Sequence, residues 1–316
     1  RAESDRHAAE EQTKQAEEQA RSAQEQQARA EAEGRRALEE REHAQREAEQ
    51  ARQVAAEAHA AREEAQRKLR EGIRPIIIPT AAEFNATKKR LRYKEGLFHF
   101  AIAGIAGSGK SSLVNALRGL RANDKDAAKV GVTETTSVVT RYRDPRKGMP
   151  FVWYDVPGSG TLSIPDWQYF TAQGLYIFDA IIVLFDNRFT ASDIAILRNC
   201  VRFQIPAYIV RSKAKQHIDN MVEDMGGDDL EDRERAELKT QAREPYILET
   251  RASVARNLTQ AELPEQRVYL VDSATLAKIV KAGTQQLNRG DTLMKNVIDE
   301  LELLRDLFAE AQRRRV

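Results

Sequence analysis

The segment Gly104-Ile105-Ala106-Gly107-Ser108-Gly109-Lys110-Ser111 decides the fold. It fits the phosphate-binding pattern G-x-x-x-x-G-K-[ST], and it lies between an apolar run at 97–105 and a helical pattern that starts at Lys110, which is the context this pattern requires. Its three glycines let the backbone turn without Cβ clashes, so that consecutive N–H groups point at phosphate oxygens beside a helix N-terminus. The sequence therefore predicts a P-loop that binds the phosphates of a nucleotide.

Two side chains of this loop carry charge and metal chemistry. Lys110 offers a positive charge to the outer phosphates, and the Ser111 hydroxyl is of the type that ligates Mg²⁺ beside them. A merely glycine-rich turn between a strand and a helix would not need a lysine followed by a serine at the helix start. The predicted phosphate-binding residues are Gly107, Ser108, Gly109, Lys110, Ser111 and Ser112.

Apolar, strand-like segments alternate with helical stretches beyond the P-loop. This alternation predicts an α/β fold with a mainly parallel central sheet that helices cover on both faces. The predicted strands are 97–105, Phe151–Val156, Ala180–Phe185, Ala207–Val210 and Val268–Val271.

A second phosphate-site motif, Asp155-Val156-Pro157-Gly158, follows the strand at 151–154, about 45 residues beyond the P-loop lysine. P-loop proteins place at this position a carboxylate that holds Mg²⁺ through water and a glycine whose N–H contacts the γ-phosphate. Between the two motifs, the Thr-rich loop at 131–136 offers hydroxyls for the second protein ligand to Mg²⁺, and a γ-phosphate can order such a loop. Thr136 and Thr133 both qualify. We predict Ser111, Thr136 and Asp155 as the magnesium site, with Thr133 as the alternative, and Lys110, Thr136 and Gly158 as the catalytic groups.

Base recognition departs from the usual pattern. Ser212-Lys213-Ala214-Lys215 follows a strand at the position where GTPases carry [NT]-K-x-D, so we predict that Ser212 and Lys213 contact the base. The aspartate that accepts hydrogen bonds from the guanine edge is replaced by Lys215, which has no acceptor. Losing such a contact is worth about 1–3 kcal/mol of discrimination between bases. Asp219, one helical turn further on, is a possible substitute acceptor.

The last predicted base contact is the loop Asp272-Ser273-Ala274 after the strand at 268–271. Its position matches the loop whose backbone donates to the base carbonyl, so Ser273 and Ala274 complete the predicted nucleotide site. His99, in the strand before the P-loop, is read as a packed core residue and His217 as a solvated loop residue rather than as acid–base groups.

Residues 1–72 consist mostly of Ala, Glu, Gln and Arg and cannot form a core of their own. We predict a solitary charged helix or a weak coiled coil there. A linker and short helix follow at 73–96, with a capping box from Thr80 to Glu83. We place a G domain of the P-loop GTPase type at 97–283. The remainder, 284–316, is a C-terminal amphipathic helix that Asp291 begins and whose apolar stripe runs from Met294 to Phe308. We expect this stripe to pack on the helix at 81–92 or on the N-terminal helix.

Charge and cysteine content narrow the class of protein further. The 50 basic and 49 acidic side chains leave a net charge of +1, so no overall field attracts nucleic acid. Cys200 is the single cysteine, which favours a reducing compartment, and we expect a cytoplasmic protein. No run of about 18 apolar residues and no secretory signal is present.

These motifs together resemble the immunity-related (interferon-inducible) GTPases, including fungal relatives that carry an Ala/Glu/Arg-rich N-terminal extension. The resemblance covers about 73–283 and rests on the segments 106–119, 130–136 and 153–158. It implies binding of GTP and GDP with Mg²⁺, slow GTP hydrolysis, GTP-dependent self-association into a homodimer or homo-oligomer, and peripheral association with membranes. The lysine at 215 departs from the family pattern and puts guanine specificity in question.

The residues after Gly158 bear on turnover. Ser159-Gly160-Thr161-Leu162 places no glutamine where one would orient the attacking water, so we expect slow intrinsic hydrolysis that a partner subunit across the nucleotide face accelerates. Two alternatives stay open: a nucleotide-binding scaffold with little turnover and relaxed base specificity, and an ATPase.

Overall fold

The computed structural model describes residues 21, 29, 33–36, 38–60, 63, 77–131, 136–160, 164–226, 231–283 and 293–313. The chain divides into two compact units, Arg1–Pro75 and Ile76–Val316. In the first unit, residues 38–60 are helical and exposed, and Arg46 pairs with Glu42 at 3.2 Å. The oligomeric role of 1–72 and the domain limits given above stay predictions.

The second unit is built on a six-stranded sheet with the order β2-β3-β1-β4-β5-β6. Among the described strands, β2 runs antiparallel to its neighbour, β3, and the other pairs are parallel. This confirms the predicted α/β fold with a mainly parallel sheet. The strands are β1 (Phe98–Ala103), β2 (Thr140–Arg143), β3 (Phe151–Asp155), β4 (Ala180–Phe185), β5 (Ala207–Arg211) and β6 (Val268–Leu270).

Helices cover both faces of the sheet. Strands β1, β3 and β4 are buried along their whole length, as the near-continuous apolar runs of parallel strands require. The helices are α1 (Ala81–Arg90), α2 (Lys110–Leu117), α3 (Asp166–Ala172), α4 (Ala191–Arg202), α5 (Ala214–Gly226), α6 (Asp232–Gln260), α7 (Ser273–Ala282) and α8 (Glu300–Arg313), with 3-10 turns at Leu175–Ile177 and Met294–Asn296.

Alternate side chains of the five parallel strands among the described residues enter two separate cores. In β1, Ala101 and Ala103 belong to one core, whereas Phe100 and Ile102 belong to the other, where Phe100 stacks on Trp153 with ring centroids 4.7 Å apart. Helix α1 packs on the first core, because Phe84 lies 5.9 Å from the Tyr176 ring. Its N-terminus carries the capping box between Thr80 and Glu83.

The prediction for the C-terminal helix was wrong in its start and in α1 as its partner, whereas packing on the N-terminal helix stays a prediction. Met294–Asn296 form a 3-10 turn and α8 begins only at Glu300, because the Asp299 carboxylate accepts the Leu270 N–H at 2.9 Å and ties the chain to β6. The predicted cap, Asp291, lies outside the described residues. Helix α8 packs on the second core, where the Phe308 ring stacks on Phe151 at 5.1 Å, so the sheet separates it from α1.

Within the described ranges, no helix combines the length and the apolar character that a membrane crossing requires.

Candidate nucleotide-binding site

The P-loop joins the end of β1 to the start of α2 and turns at glycines. Gly104 has φ +143°, and a Cβ there would lie 2.0 Å from the Leu184 carbonyl oxygen of β4. Gly107 and Gly109 have φ of +80° and +91°, in the left-handed region that L side chains rarely adopt. The first glycine is therefore required by close backbone packing and the other two by the turn itself.

Lys110 opens α2, and its side chain folds back across the loop. Its Nζ donates to the Ile105 carbonyl oxygen at 2.9 Å, and only 8% of the residue is exposed. The Ser108 hydroxyl donates to the same oxygen, also at 2.9 Å. The loop thus holds a positive charge and a helix N-terminus together, an arrangement that favours an anion.

The three residues predicted to hold magnesium meet at one carboxylate. Asp155 Oδ2 accepts hydrogen bonds from Ser111 Oγ at 2.6 Å and Thr136 Oγ1 at 3.1 Å. Among the described residues, buried Asp155 Oδ1 has no hydrogen-bond partner. Burial raises the pKa of Asp155, while hydrogen bonds from both hydroxyls and the charge of Lys110 oppose that rise. Hard oxygen ligands around an unpartnered carboxylate oxygen fit a cation such as Mg²⁺. The alternative ligand, Thr133, lies outside the described residues.

The segment that follows Asp155 packs directly on the P-loop. A Cβ at Gly158 would lie 2.7 Å from the Ala106 Cα, and the Ser159 N–H donates to the Gly104 carbonyl oxygen at 3.0 Å. Only glycine allows this approach, so Gly158 lies against the phosphate loop, where the sequence predicts it.

The predicted base loop also contacts the P-loop. Ser212 Oγ donates to the Ser108 carbonyl oxygen at 2.7 Å, and Lys213 Nζ lies 3.4 Å from the Gly107 carbonyl oxygen. Lys213 Nζ also pairs with Asp186 Oδ2 at 2.6 Å. Lys215 is exposed at the start of α5. The base loop therefore keeps Lys213, whose side chain reaches the P-loop. It places the Lys215 ammonium where GTPases have an aspartate that accepts hydrogen bonds from guanine.

The Ser273 loop lies beside this base loop. The Ala214 N–H donates to the Val271 carbonyl oxygen at 3.1 Å, and Asp272 caps α7 by accepting the Thr275 N–H at 2.9 Å. Ser273 and Ala274 line a cavity of about 300 Å³ together with Ser112 of α2. Predicted nucleotide-binding residues from two distant parts of the sequence thus border one cavity.

Three other candidate residues have different surroundings. Asp219 forms an ion pair with Lys239 at 2.7 Å, so its carboxylate is already held by α6. His99 is fully buried within 3.1 Å of the Tyr154 hydroxyl, as expected for a core residue. His217 was wrongly read as a solvated loop residue, because it lies on α5 with its side chain 15% exposed and Nε2 2.7 Å from Asp186 Oδ1.

Sequence reasoning missed Asp186. It comes directly after β4, and the carboxyl ends of parallel strands form the edge where ligands bind in such sheets. Its position was therefore a usable signal, although its partners Lys213 and His217 are distant in the sequence.

Comparison with known proteins places most of this chain in one family. The family model described as interferon-inducible GTPase (IIGP) matches residues 84–279, which is more than half of the chain. Interferon-inducible GTPase 1 of Mus musculus is 34% identical over 125 residues, covering 39% of this chain and 30% of that protein. T-cell-specific guanine nucleotide triphosphate-binding protein 2 of Mus musculus is 33% identical over 122 residues, covering 39% and 29%.

A longer match extends further along the chain. Interferon-gamma-inducible GTPase 10 of Mus musculus is 27% identical over 180 residues, which cover 57% of this chain and 40% of that protein. The matched regions thus span less than half the length of these relatives. Since the family model covers the sheet, the P-loop and the base loop, this chain belongs to the interferon-inducible GTPase (IIGP) family.

Proposed function

We propose that this protein binds GTP and GDP with Mg²⁺ at the P-loop and hydrolyses GTP slowly. The observation that carries the proposal is the meeting of Ser111 and Thr136 on the Asp155 carboxylate beside Lys110. Family membership supports guanine nucleotides as the ligand class.

Each residue of the phosphate side has a role in this proposal. Lys110 offsets the negative charge of the outer phosphates, and the P-loop amides orient them. Mg²⁺, held by Ser111, Thr136 and Asp155, would neutralise charge on the phosphate oxygens. The Gly158 N–H contacts the γ-phosphate and senses whether it is present.

Slow GTP hydrolysis is expected because no glutamine side chain follows Gly158 to orient the attacking water. Ser159 stands where a glutamine side chain would orient this water, and its buried hydroxyl has no hydrogen-bond partner among the described residues. Positioning and charge compensation by Lys110, the loop amides and a bound Mg²⁺ would then carry catalysis without such a side chain, and this leaves transition-state charge partly uncompensated.

Self-association would complete the site. We propose a homodimer or homo-oligomer that forms across the nucleotide face when GTP is bound. GTP hydrolysis per molecule should therefore rise with protein concentration in steady-state assays and fall toward zero on dilution. A specific rate that is independent of concentration would exclude activation by a partner subunit, and no turnover at any concentration would favour the scaffold.

One observation favours relaxed base specificity as a second candidate. Lys215 offers no acceptor to the guanine edge, and the nearest substitute, Asp219, is held by Lys239. A protein of this kind would bind ATP nearly as well as GTP and act as an ATPase or as a nucleotide-binding scaffold.

Cytoplasmic location and peripheral membrane association belong to the same proposal. The single cysteine, Cys200, is buried and forms no disulfide within the chain, which suits the cytoplasm. Family resemblance alone supports membrane association. Co-sedimentation with lipid vesicles in GTP but not in GDP is the expected result, and equal recovery with both nucleotides would contradict it.

A further inference from the structure

Lys213 is held in an unusual backbone conformation at the point where the base would bind. Its φ of +55° lies in the left-handed region, which costs a residue with a Cβ about 1 kcal/mol. Its side chain spans from the base loop to the P-loop, since Nζ lies 3.4 Å from the Gly107 carbonyl oxygen. The apolar stem of this lysine thus forms a bridge over the site.

The carboxylate of Asp186 holds the end of this bridge. Oδ2 pairs with Lys213 Nζ at 2.6 Å, and Oδ1 lies 2.7 Å from His217 Nε2. The Asp186 side chain is 11% exposed, so solvent screens these contacts less than at an open surface. Each carboxylate oxygen thus has a partner from the base loop or from α5, and Asp186 is placed to hold Lys213.

Neighbouring elements fix Asp186 and His217 in turn. Arg211 Nε donates to the Asp186 carbonyl oxygen at 2.9 Å, which anchors the backbone after β4. The His217 ring stacks on Tyr246 of α6 at 5.8 Å with an interplanar angle of 23°. The arrangement joins β4, β5, α5 and α6 around a single ion pair.

We propose that Asp186, supported by His217, is a positioning residue that holds Lys213 as a platform for the face of the nucleotide base. This inference rests on the proposed nucleotide-binding function and deepens it. A platform of aliphatic carbons contacts any purine face, whereas an acceptor at 215 would select guanine. Affinity for the base then depends on Asp186, and this dependence is the same for GTP and ATP.

The test separates base binding from phosphate binding. Calorimetric titrations with GTP, ATP and inorganic tripolyphosphate, each with Mg²⁺, are compared for the wild type, Asp186→Ala and Asp186→Asn. Asp186→Ala should weaken GTP and ATP by the same factor, about tenfold, and leave tripolyphosphate within about twofold. Asp186→Asn should lose less, because its amide oxygen still accepts from Lys213. His217→Ala should weaken both nucleotides by about threefold, since it removes support and not the ion pair.

Glu95→Ala is the control. It removes an acid–lysine pair of similar length, 3.0 Å between Lys88 Nζ and the Glu95 carboxylate, outside the candidate site, and nucleotide affinity should not change. Thermal unfolding of every variant checks the fold, and Asp186→Asn carries the test if the alanine variant does not fold.

Unchanged GTP affinity in Asp186→Ala would overturn the inference. So would a loss of tripolyphosphate affinity equal to the loss of GTP affinity, because Asp186 would then be a general structural support. If the wild-type protein binds neither nucleotide nor tripolyphosphate, the proposed function itself fails, and this outcome differs from both of those above.

Discussion

The phosphate side and the base side of the site are built by different means. Phosphate contacts depend on backbone: Gly104 and Gly158 lie so close to neighbouring main chain that a Cβ would come within 2.0 and 2.7 Å of it. Base contacts depend on side chains, where Lys213 is held by Asp186 and Lys215 replaces an aspartate. Backbone packing leaves few acceptable residues at a position, whereas a side-chain contact can be rearranged and still support binding.

The largest effect is expected on the phosphate side, from Gly104→Ala. Its new Cβ would meet the backbone oxygen of Leu184 at 2.0 Å, so we expect a loss of about 3 kcal/mol in the free energy of unfolding. Gly107→Ala is the matched control, because Gly107 also has positive φ but has no atom within 4 Å of the added Cβ. It should lose about 1 kcal/mol. Urea unfolding measures both, and equal losses would show that close packing does not distinguish them.

On the base side we expect a change in selectivity rather than in stability. Lys215→Asp restores an acceptor, so the ratio of GTP to ATP affinity should rise by about tenfold to 100-fold. Lys215→Ala removes the ammonium without adding an acceptor and serves as the control. Competition titrations measure the ratio. If Lys215→Asp and Lys215→Ala give the same ratio of GTP to ATP affinity, the side chain at 215 does not contact the edge of the base.

The smallest effect, taken per pH unit, is expected from a buried acid behind the phosphate side. Asp193 is fully buried at the start of α4, and its Oδ2 accepts from the Thr190 N–H and hydroxyl, both at 2.8 Å. Burial raises the pKa of Asp193 to about 6 from 3.8; the Thr190 hydrogen bonds and Lys110 lower it, and Asp166 raises it. The native carboxyl keeps its proton at pH values where the unfolded chain has lost it.

The sign of the pH dependence follows from that raised pKa. The contribution of Asp193 to stability is largest below pH 3.8 and is lost as the pH rises to about 6. Asp193→Asn does not titrate, so relative to the wild type it should gain about 1 kcal/mol for each pH unit between pH 4 and pH 6. Urea unfolding at pH 4, 5, 6 and 7 measures this gain. A stability difference that does not vary with pH would contradict the raised pKa.

The same contrast explains what the sequence could predict about the fold. Buried parallel strands such as β1 and β4 are continuous apolar runs and were predicted within about two residues at each end. Strand β2 was missed, because Thr140–Arg143 is a short, half-exposed edge strand with two arginines and no apolar run. The start of α8 was missed because it depends on the hydrogen bond from Leu270 to Asp299, which no local pattern encodes.

Some residues of the candidate site were predicted from the sequence and one was not. Ser111, Thr136 and Asp155 were identified from motif spacing, and the fold brings them together. The position of Asp186 directly after β4 was a usable signal, but its partners lie 27 and 31 positions away, so tertiary structure was needed to identify them. The roles of the individual site residues stay predictions until nucleotide binding is measured.

The most direct test of the central claim is calorimetric titration of GTP into the folded wild type and Lys110→Ala, with and without Mg²⁺. The account predicts Mg²⁺-dependent binding to the wild type and affinity weakened by about 100-fold in the variant, which loses a charge-assisted contact to the phosphates. Thermal unfolding of the variant checks that it is folded, since Lys110→Ala also removes the hydrogen bond to the Ile105 carbonyl oxygen. No affinity for GTP in the folded wild type, or none lost in Lys110→Ala, would contradict the account.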